Sequence, residues 1–316
     1  MAGPAFRAAA VRVRTPATSA NLGPGYDACG LALGLYDDVV VRVADAGLGV
    51  DIAGVGADTL PRDEGHLLVR AMRATFDILG GQPRGLEVVC ANRIPHSAGL
   101  GSSSAAICAG ITAARAVTIG GPERLDDAAL VALATELEGH PDNVAACLLG
   151  GFTVAWTEDD GRARAVRMEP DARIVPVVFV PTEAQLSTET ARGLIPDTVP
   201  HVDAAANAAR SALLVEALTH RPELLLTATE DRLHQVYRAP AMPATLDLVD
   251  ALRADGVPAT VSGAGPTVLA LVDGGEESPG PTVDSVLKYA EEAGPGWSAH
   301  RLALDTGGAG VLPLTQ

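Results

Sequence analysis

The sequence predicts an α+β fold with two domains, and three observations support this prediction. Strand-like and helix-like segments follow one another without the strict alternation of a doubly wound parallel sheet. Apolar residues make up 47% of the 316 residues, which is enough to bury a core and excludes a disordered chain. A polar, turn-like stretch at residues 158–164 lies near mid-chain. We therefore expect one domain over residues 1–160 and another over residues 161–316.

The predicted strands are short and rich in β-branched residues, and turn residues flank them. The clearest contains the run Val39-Val40-Val41. Strands are predicted over residues 8–14, 36–43, 86–90, 150–156, 174–180, 258–261, 268–272 and 300–304.

The predicted helices are longer stretches that combine apolar spacing with a high alanine content. The longest, over residues 201–220, is especially rich in alanine. Helices are predicted over residues 66–79, 103–117, 126–137, 201–220, 222–232, 243–254 and 282–293.

The charge balance limits the partners of this chain. Lys and Arg number 23 against 39 Asp and Glu, a net charge of −16, so we expect no nucleic-acid partner and no anionic membrane. Lys288 is the only lysine, which excludes a P-loop that depends on lysine. No apolar run approaches the ~18 residues that span a bilayer.

The four cysteines indicate a reducing compartment. Cys29, Cys90, Cys108 and Cys147 lie far apart, form no C-x-x-C pair and are surrounded by apolar residues. Such cysteines are typical of buried, reduced thiols, and no segment resembles a signal peptide. We therefore expect a cytoplasmic protein.

A glycine- and serine-rich segment leads directly into an apolar helical stretch. A turn of this kind leaves the first backbone N–H groups of the helix unpaired, with the positive end of the helix dipole behind them. Gly99 and Gly101 allow the main chain to approach an anion without an intervening Cβ. The alternative is a turn that only caps a helix, but the combination favours a phosphate-binding loop. Its candidate residues are Pro95, His96, Ser97, Ala98, Gly99, Leu100, Gly101, Ser102, Ser103, Ser104 and Ala105.

Three further segments contain clustered polar and glycine residues. They are Pro-Ala-Thr-Ser-Ala-Asn-Leu-Gly-Pro-Gly-Tyr-Asp at residues 16–27, Glu-Leu-Glu-Gly-His-Pro-Asp-Asn at 136–143 and Ser-Gly-Ala-Gly-Pro-Thr at 262–267. Together with the phosphate-binding loop, and in this order, they resemble the superfamily of galactokinase, homoserine kinase, mevalonate kinase and phosphomevalonate kinase. The motifs at 16–27 and 138–143, with those at 187–192 and 233–238, are most similar to the homoserine kinases.

This resemblance implies a fold and a reaction. The fold is a two-domain small-molecule kinase fold, with an unusual left-handed βαβ unit in the N-terminal domain and a ferredoxin-like C-terminal domain. The reaction is the transfer of phosphate from ATP, with Mg²⁺, to the side-chain hydroxyl of L-homoserine, on the route to threonine. It also implies a homodimer.

The resemblance assigns the metal and the reacting groups residue by residue. Ser103 and Glu138 match the Mg²⁺ positions, with Glu136 as the alternative carboxylate, and Mg²⁺ needs few protein ligands beside phosphate and water. Asn143 is expected to orient the attacking hydroxyl. Asp142 lies where some relatives have a catalytic aspartate, and it acts either as a base or as a structural hydrogen-bond acceptor.

The substrate contacts follow from the charges of an amino acid. Asp27 and Asn21 can hold the ammonium group, while Arg192 and Arg238 offer guanidinium forks for the carboxylate. His140 is expected to lie beside the substrate.

One position departs from the family pattern. Many members have an Asn-Leu pair that helps to hold adenine, and here His66 precedes Leu67. The contacts to the base are therefore open.

Other functional classes fit less well. Gly23 and Gly25 imitate a dinucleotide-binding fingerprint, but no room remains for the required helix before the strand at Tyr36. A serine hydrolase would need Gly-x-Ser-x-Gly, which is absent. A mevalonate kinase and a non-catalytic sensor on the same fold remain as alternatives.

Overall fold

The computed structural model describes residues 3–183, 186–275, 278, 280–292 and 296–314. In that part of the chain eleven strands form two sheets. The strands are β1 Val11–Ala20, β2 Cys29–Ala44, β3 Gly47–Gly54, β4 Gly85–Asn92, β5 Phe152–Thr157, β6 Ala163–Met168, β7 Ile174–Pro181, β8 Ala259–Val261, β9 Val268–Asp273, β10 Trp297–Arg301 and β11 Gly310–Leu312. The helices are α1 Leu67–Ile78, α2 Ser102–Val117, α3 Gly121–Arg124, α4 Asp127–Glu138, α5 Pro141–Leu149, α6 Thr188–Gly193, α7 His201–Thr219, α8 Leu225–Ala228, α9 Gln235–Arg238, α10 Pro243–Ala254, α11 Val283–Leu287 and α12 Tyr289–Glu292.

The first sheet has seven strands and is built around the long strand β2. The order is β11-β1-β2-β4-β3, and β5 pairs with β2 and carries β6 at its other side. Strand β1 continues beyond its predicted end because a register shift between Pro16 and Ala17 accommodates the proline. After β1 the chain turns directly into β2 without a helix, so a dinucleotide-binding unit is absent from this segment.

Helices α1, α2 and α5 cover one face of this sheet. Strands β3 and β4 are parallel neighbours joined through α1, which is a βαβ crossover. Its expected left hand stays a prediction. Helix α2 approaches α1 closely at Gly110, where an added Cβ would lie 2.4 Å from the carbonyl oxygen of Leu68.

The second sheet confirms the ferredoxin-like prediction. Its order is β10-β7-β9-β8 with antiparallel pairing throughout. In chain order these strands and helices run β-α-β-β-α-β, with the first and third strands in the centre, which is the ferredoxin-like arrangement. The predicted domain boundary at 160/161 stays a prediction, and it lies in the turn between β5 and β6, two paired strands of the first sheet.

Two predicted helices differ from the structure. The helix predicted over residues 222–232 is instead a short 3₁₀ turn followed by α8, which ends at Ala228, and the Asp231 carboxylate accepts from the His234 and Gln235 amides at the start of the next turn. The helix predicted over residues 282–293 is divided at Lys288 into α11 and α12, and residue 293 lies outside the described residues. The last predicted strand, 300–304, begins earlier, as β10.

The four cysteines are buried and unpaired, as predicted. Burial raises the pKa of Cys29 to about 12, which keeps its thiol protonated. Among the described residues, no helix has both the length and the apolar character needed to cross a membrane.

The contact at Gly110 predicts a stability effect. Gly110→Ala should lower the free energy of unfolding by about 1–3 kcal/mol, because overpacking against Leu68 outweighs the gain in helix propensity of about 1 kcal/mol. Urea denaturation followed by circular dichroism measures the change. The matched control is Gly49→Ala. An added Cβ there would have Glu87 Cγ, at 4.0 Å, as its nearest neighbour, so the free energy of unfolding should change by less than about 0.5 kcal/mol. Equal effects of the two substitutions would contradict this account.

Candidate active site

A cavity of about 230 Å³ lies where the two sheets meet. The first sheet contributes the segment after β1, the phosphate-binding loop and the junction of α4 and α5, and the second contributes α6, α9 and the turn between β8 and β9. Its polar and charged lining residues are Asn21, Ser97, Ser102, Ser103, Glu138, His140, Asp142, Asn143, Ser187, Thr188, Arg192 and Arg238.

The loop before α2 has the backbone that the sequence predicts. Gly99 and Gly101 have φ values of 83° and 71°, in the left-handed region that favours glycine. An added Cβ on Gly101 would lie 2.0 Å from the Thr18 hydroxyl oxygen. Helix α2 begins at Ser102, so the amides of its first turn have no carbonyl partner within the helix and face the cavity side.

The residues of this loop divide between the cavity and the core. Gly99, Gly101 and three serines, Ser97, Ser102 and Ser103, line the cavity. Ala98, Leu100, Ser104 and Ala105 are buried behind it, and Pro95 and His96 precede the turn.

The turn between β8 and β9 is fastened to the loop. The Ser262 hydroxyl donates to the Gly99 carbonyl oxygen at 2.7 Å and lies 2.8 Å from the Ser19 hydroxyl. The Thr267 amide donates to the Ala98 carbonyl oxygen at 3.1 Å. These bonds hold the second sheet against the loop.

Glu138, at the end of α4, faces the first turn of α2. Its Oε1 atom accepts hydrogen bonds from the hydroxyls of Ser103, at 2.6 Å, and Ser104, at 2.8 Å. Glu136 is exposed on the opposite side of the helix and does not line this cavity. Of the two candidate carboxylates, the structure therefore places Glu138, and not Glu136, beside the loop.

The start of α5 brings three predicted residues together. Asp142 is 2% exposed, and its Oδ1 accepts from His140 Nδ1 at 2.6 Å and from the Asn143 amide at 2.8 Å. Burial alone would lower the pKa of His140, but the bond to Asp142 and the charges of Asp142 and Glu138 outweigh it and raise that pKa. The Thr18 hydroxyl donates to Asn143 Oδ1 at 2.7 Å, which leaves the Nδ2 group of Asn143 available to the cavity.

Asp27 and Arg192 pair with each other. The guanidinium donates to both carboxylate oxygens, at 2.9 and 2.6 Å, and the pair is about one-third exposed. Asn21 fixes the loop that carries Asp27, since its Oδ1 accepts from the Asp27 amide at 3.0 Å and its Nδ2 donates to the Gly263 carbonyl at 2.8 Å.

Arg238 is 1% exposed, and within the described part of the chain it makes no ion pair with a carboxylate. It donates to the carbonyl oxygens of Ala191 and Gly263 at 3.3 and 3.1 Å. Its third partner is Nδ1 of the buried His234, at 3.0 Å, and His234 Nε2 lies 2.9 Å from the Gly23 carbonyl. Since Arg238 can only donate, His234 is a neutral imidazole that donates from Nε2. A positive charge is thus held at the cavity wall by neutral groups.

Three residues that support the site were not predicted. Thr18 orients Asn143, His234 holds Arg238, and the ring of Tyr26 lies 5.8 Å from the Arg192 guanidinium carbon and 5.6 Å from that of Arg238. All three lie in motifs named in the sequence analysis, at residues 16–27 and 233–238, so these motifs already indicated that the three residues could belong to the site.

Comparisons with known proteins identify the family of this chain. The models "GHMP kinases N terminal domain" and "GHMP kinases C terminal" match residues 66–151 and 209–280. A homoserine kinase of Streptomyces avermitilis is 74% identical over 314 residues, covering 99% of both chains. A homoserine kinase of Streptomyces coelicolor is 73% identical over 314 residues, covering 99% of this chain and 98% of that one.

The chain belongs to the homoserine kinase family. The resemblance drawn from its motifs is confirmed, and so is the two-domain kinase fold. Among solved structures, the homoserine kinase from Cytophaga hutchinsonii has a TM-score of 0.82 at 24% identity, covering 99% of this chain and 100% of that one. L. major mevalonate kinase has a TM-score of 0.67 at 16% identity, covering 98% and 100%. Both share the fold with this homoserine kinase family member.

The contact between Ser262 and the loop generates a prediction. Ser262→Ala should lower the free energy of unfolding by about 1–3 kcal/mol, because it leaves the Gly99 carbonyl without its donor. Chemical denaturation measures it. Ser285→Ala, which removes an exposed hydroxyl from α11, is the control and should cost less than about 0.5 kcal/mol. If Ser262→Ala left the denaturation midpoint unchanged, the hydrogen bond from Ser262 to the Gly99 carbonyl would not stabilise the fold as proposed.

Proposed function

We propose that the protein transfers a phosphoryl group from ATP to the side-chain hydroxyl of L-homoserine, giving O-phospho-L-homoserine and ADP. One observation carries the proposal: a single cavity joins the glycine- and serine-rich loop before α2 to Arg192 and Arg238, and Arg192 in turn pairs with Asp27 just outside the cavity lining. The names of the Streptomyces relatives support the same reaction.

The phosphates of ATP are assigned to the loop from Pro95 to Ala105. Phosphoryl transfer depends on positioning and on neutralising charge on the phosphate oxygens, and the free amides of the first turn of α2 do both. The chain supplies no lysine for this purpose, so backbone dipoles carry more of the task than in P-loop enzymes.

The residues beside the loop fit a Mg²⁺ ion. Ser103 and Glu138 offer hard oxygen ligands, and the Ser103 oxygen keeps free lone pairs while it donates its proton to Glu138. Mg²⁺ commonly keeps several waters and binds proteins through one or two carboxylates together with substrate phosphates. When bound, Mg²⁺ would neutralise charge on the transferred phosphate.

The charged groups can take the zwitterion in one orientation. An amino-acid carboxylate would bind Arg238 and Arg192, and its ammonium group would bind Asp27, with Asn21 holding the Asp27 loop. The Asp27–Arg192 pair presents both signs of charge before substrate binds, so each partner exchanges part of one ionic contact for another. This exchange reduces the free-energy cost of removing water from the two charged side chains when the substrate binds.

The attacking hydroxyl is assigned to Asn143, whose orientation is fixed by Thr18. Asp142 is already engaged through Oδ1 by His140 and by the backbone, which favours a structural role for it over that of a strong base. The proton can then leave to the phosphate oxygens.

The alternatives are weakened by particular residues. Mevalonate has no ammonium group, so it would offer the Asp27 carboxylate no cationic group beyond its existing partner Arg192. A non-catalytic sensor would not require Glu138 and Asn143 to be held beside the loop. The homodimer, the cytoplasmic location and the absence of a nucleic-acid partner stay predictions.

Substrate choice is tested by measuring ADP release with homoserine, mevalonate, serine and threonine side by side. We expect homoserine to be turned over at least about tenfold more efficiently than each of the others, because only it combines both charges with a hydroxyl at the right reach. Turnover confined to mevalonate would overturn the proposed substrate. Failure with all four would favour a sensor.

The role of Asp142 is tested by Asp142→Asn. The amide preserves the acceptor for His140 and Asn143, so we expect turnover to remain measurable, within about 10³-fold of the parent. Steady-state kinetics, with a thermal melt to confirm folding, provide the comparison. A loss of about 10⁴-fold or more would instead identify Asp142 as the general base.

A further inference from the structure

Arg238 is one of two arginines that line the active-site cavity. Its Nε and Nη1 groups donate to two carbonyl oxygens and to Nδ1 of His234. Its Nη2 group donates to no acceptor among the residues that the structure describes. Nη2 is therefore the part of the guanidinium group that is left for a ligand of the cavity.

His234 keeps a neutral group between Arg238 and the nearby carboxylate of Asp231. The imidazole is fully buried, and burial lowers the pKa of His234 more than the charge of Asp231 raises it, so the ring is neutral. Asp231 lies beside the other ring nitrogen, with its Oδ1 atom 3.7 Å from Nε2. Three backbone amides, those of residues 233–235, already donate to this carboxylate. The negative charge of Asp231 is thus held one side chain away from the guanidinium group.

A neutral acceptor and a charged one would have different consequences at this position. A carboxylate in place of the imidazole would hold Arg238 at least as firmly, because a charge-assisted hydrogen bond is stronger than a neutral one. It would also cancel the charge that Arg238 offers to a ligand, as Asp27 does for Arg192. A purely structural role is therefore compatible with either acceptor, whereas binding of an anionic group requires the neutral one.

We propose that His234 is a positioning residue that makes the site selective for substrates with a carboxylate, because it holds Arg238 in place without neutralising it. This inference rests on the proposed function, in which Arg238 binds the carboxylate of homoserine. It goes beyond that assignment because it attributes the selectivity to a residue behind the arginine, which does not itself line the cavity.

The test compares two substitutions of equal size and different charge, His234→Asn and His234→Asp. Each places an oxygen near the position of Nδ1, and each loses the contact with the Gly23 carbonyl. The ligands are L-homoserine and 3-aminopropan-1-ol, which is homoserine without its carboxylate. Calorimetry gives the Kd of both ligands, and ADP release gives KM and kcat.

We expect the Kd of homoserine to rise about threefold in His234→Asn and at least about thirtyfold in His234→Asp, because the aspartate weakens a charge-assisted bond to the ligand. The Kd of 3-aminopropan-1-ol should differ between the two variants by less than about threefold, since this ligand has no carboxylate for Arg238. A merely structural role would instead change the affinity for both ligands alike. The KM for ATP should change by less than about twofold, because the phosphate loop lies apart from His234.

Two further comparisons complete the design. His234→Leu removes the acceptor for Arg238, so the Kd of homoserine should rise about tenfold, and His234→Asn should restore most of this loss. His220→Asn and His220→Asp are the matched controls, because this side chain is 71% exposed. These two control variants should discriminate between the two ligands as the parent enzyme does.

The inference is wrong if His234→Asn and His234→Asp discriminate equally between homoserine and 3-aminopropan-1-ol. Should the aspartate variant not fold, equal affinities of His234→Leu and His234→Asn for homoserine would overturn it. A parent enzyme that binds homoserine but releases no ADP would refute the proposed function and leave the binding comparison intact. Absence of homoserine binding by the parent enzyme would refute both.

Discussion

The site depends on how closely the Gly99 backbone approaches the turn between β8 and β9. A Cβ on Gly99 would lie 2.3 Å from the Ser262 carbonyl oxygen and 2.9 Å from that of Gly265. Only glycine allows this approach, and the left-handed φ of Gly99 adds a second reason for it. The contact joins the two sheets at the loop itself, so the amides of α2 and the charged residues of the second sheet face one cavity. A wider separation would divide the phosphate loop from the arginines.

The distribution of charge follows from the same closeness. In a chain with a net charge of −16, the buried Arg238 is held by the neutral ring of His234 and by carbonyl oxygens, and no carboxylate of the residues that the structure describes pairs with it. Burying a charge without a counter-charge is costly, and an anionic ligand group bound beside Arg238 would offset that cost. Arg192, by contrast, is neutralised by Asp27 at the more exposed side of the cavity. One arginine therefore presents net positive charge and the other presents a dipole, which suits a ligand carrying both signs.

The fold class predicted from the sequence is confirmed, and the structure brings many of the candidate site residues to one cavity, but several strands around that cavity were not predicted. The loop before α2 could be predicted because glycine spacing and a helix start are visible within a few neighbouring residues. Asp142, Asn143 and Arg238 could be predicted because each lies in a short contiguous motif. Glu138 and Glu136 differ only in which side of α4 faces the loop, and the structure decides between them. The exposed strand β3 was not predicted, because its alternation of glycine with single apolar residues is weak and its pairing with β4 comes through a distant crossover. Strand β11 pairs with β1 across almost the whole chain, a long-range contact that local patterns do not contain. The left hand of the crossover and the limits of the domains are not fixed by the sequence motifs.

A second cavity, of about 310 Å³ and lined by His66 and Leu68 among others, also adjoins the loop before α2, and the two cavities together constrain the direction of the proposed transfer. Both border the loop at Ser97, Ser102 and Ser103, so a phosphate chain held there has one cavity at each end. The cavity with His66 is largely apolar and suits a heterocyclic base, whereas the cavity with Arg238 and Asn143 is polar and suits an amino acid. Under the proposed function, the transferred phosphate would lie between the two cavities, beside the Ser103–Glu138 pair, and the acceptor hydroxyl would approach from the side of Asn143. In-line attack requires such an opposed arrangement of nucleophile and leaving group. Because a single helix start separates the cavities, a displacement of the first turn of α2 would disturb base binding and hydroxyl positioning at once.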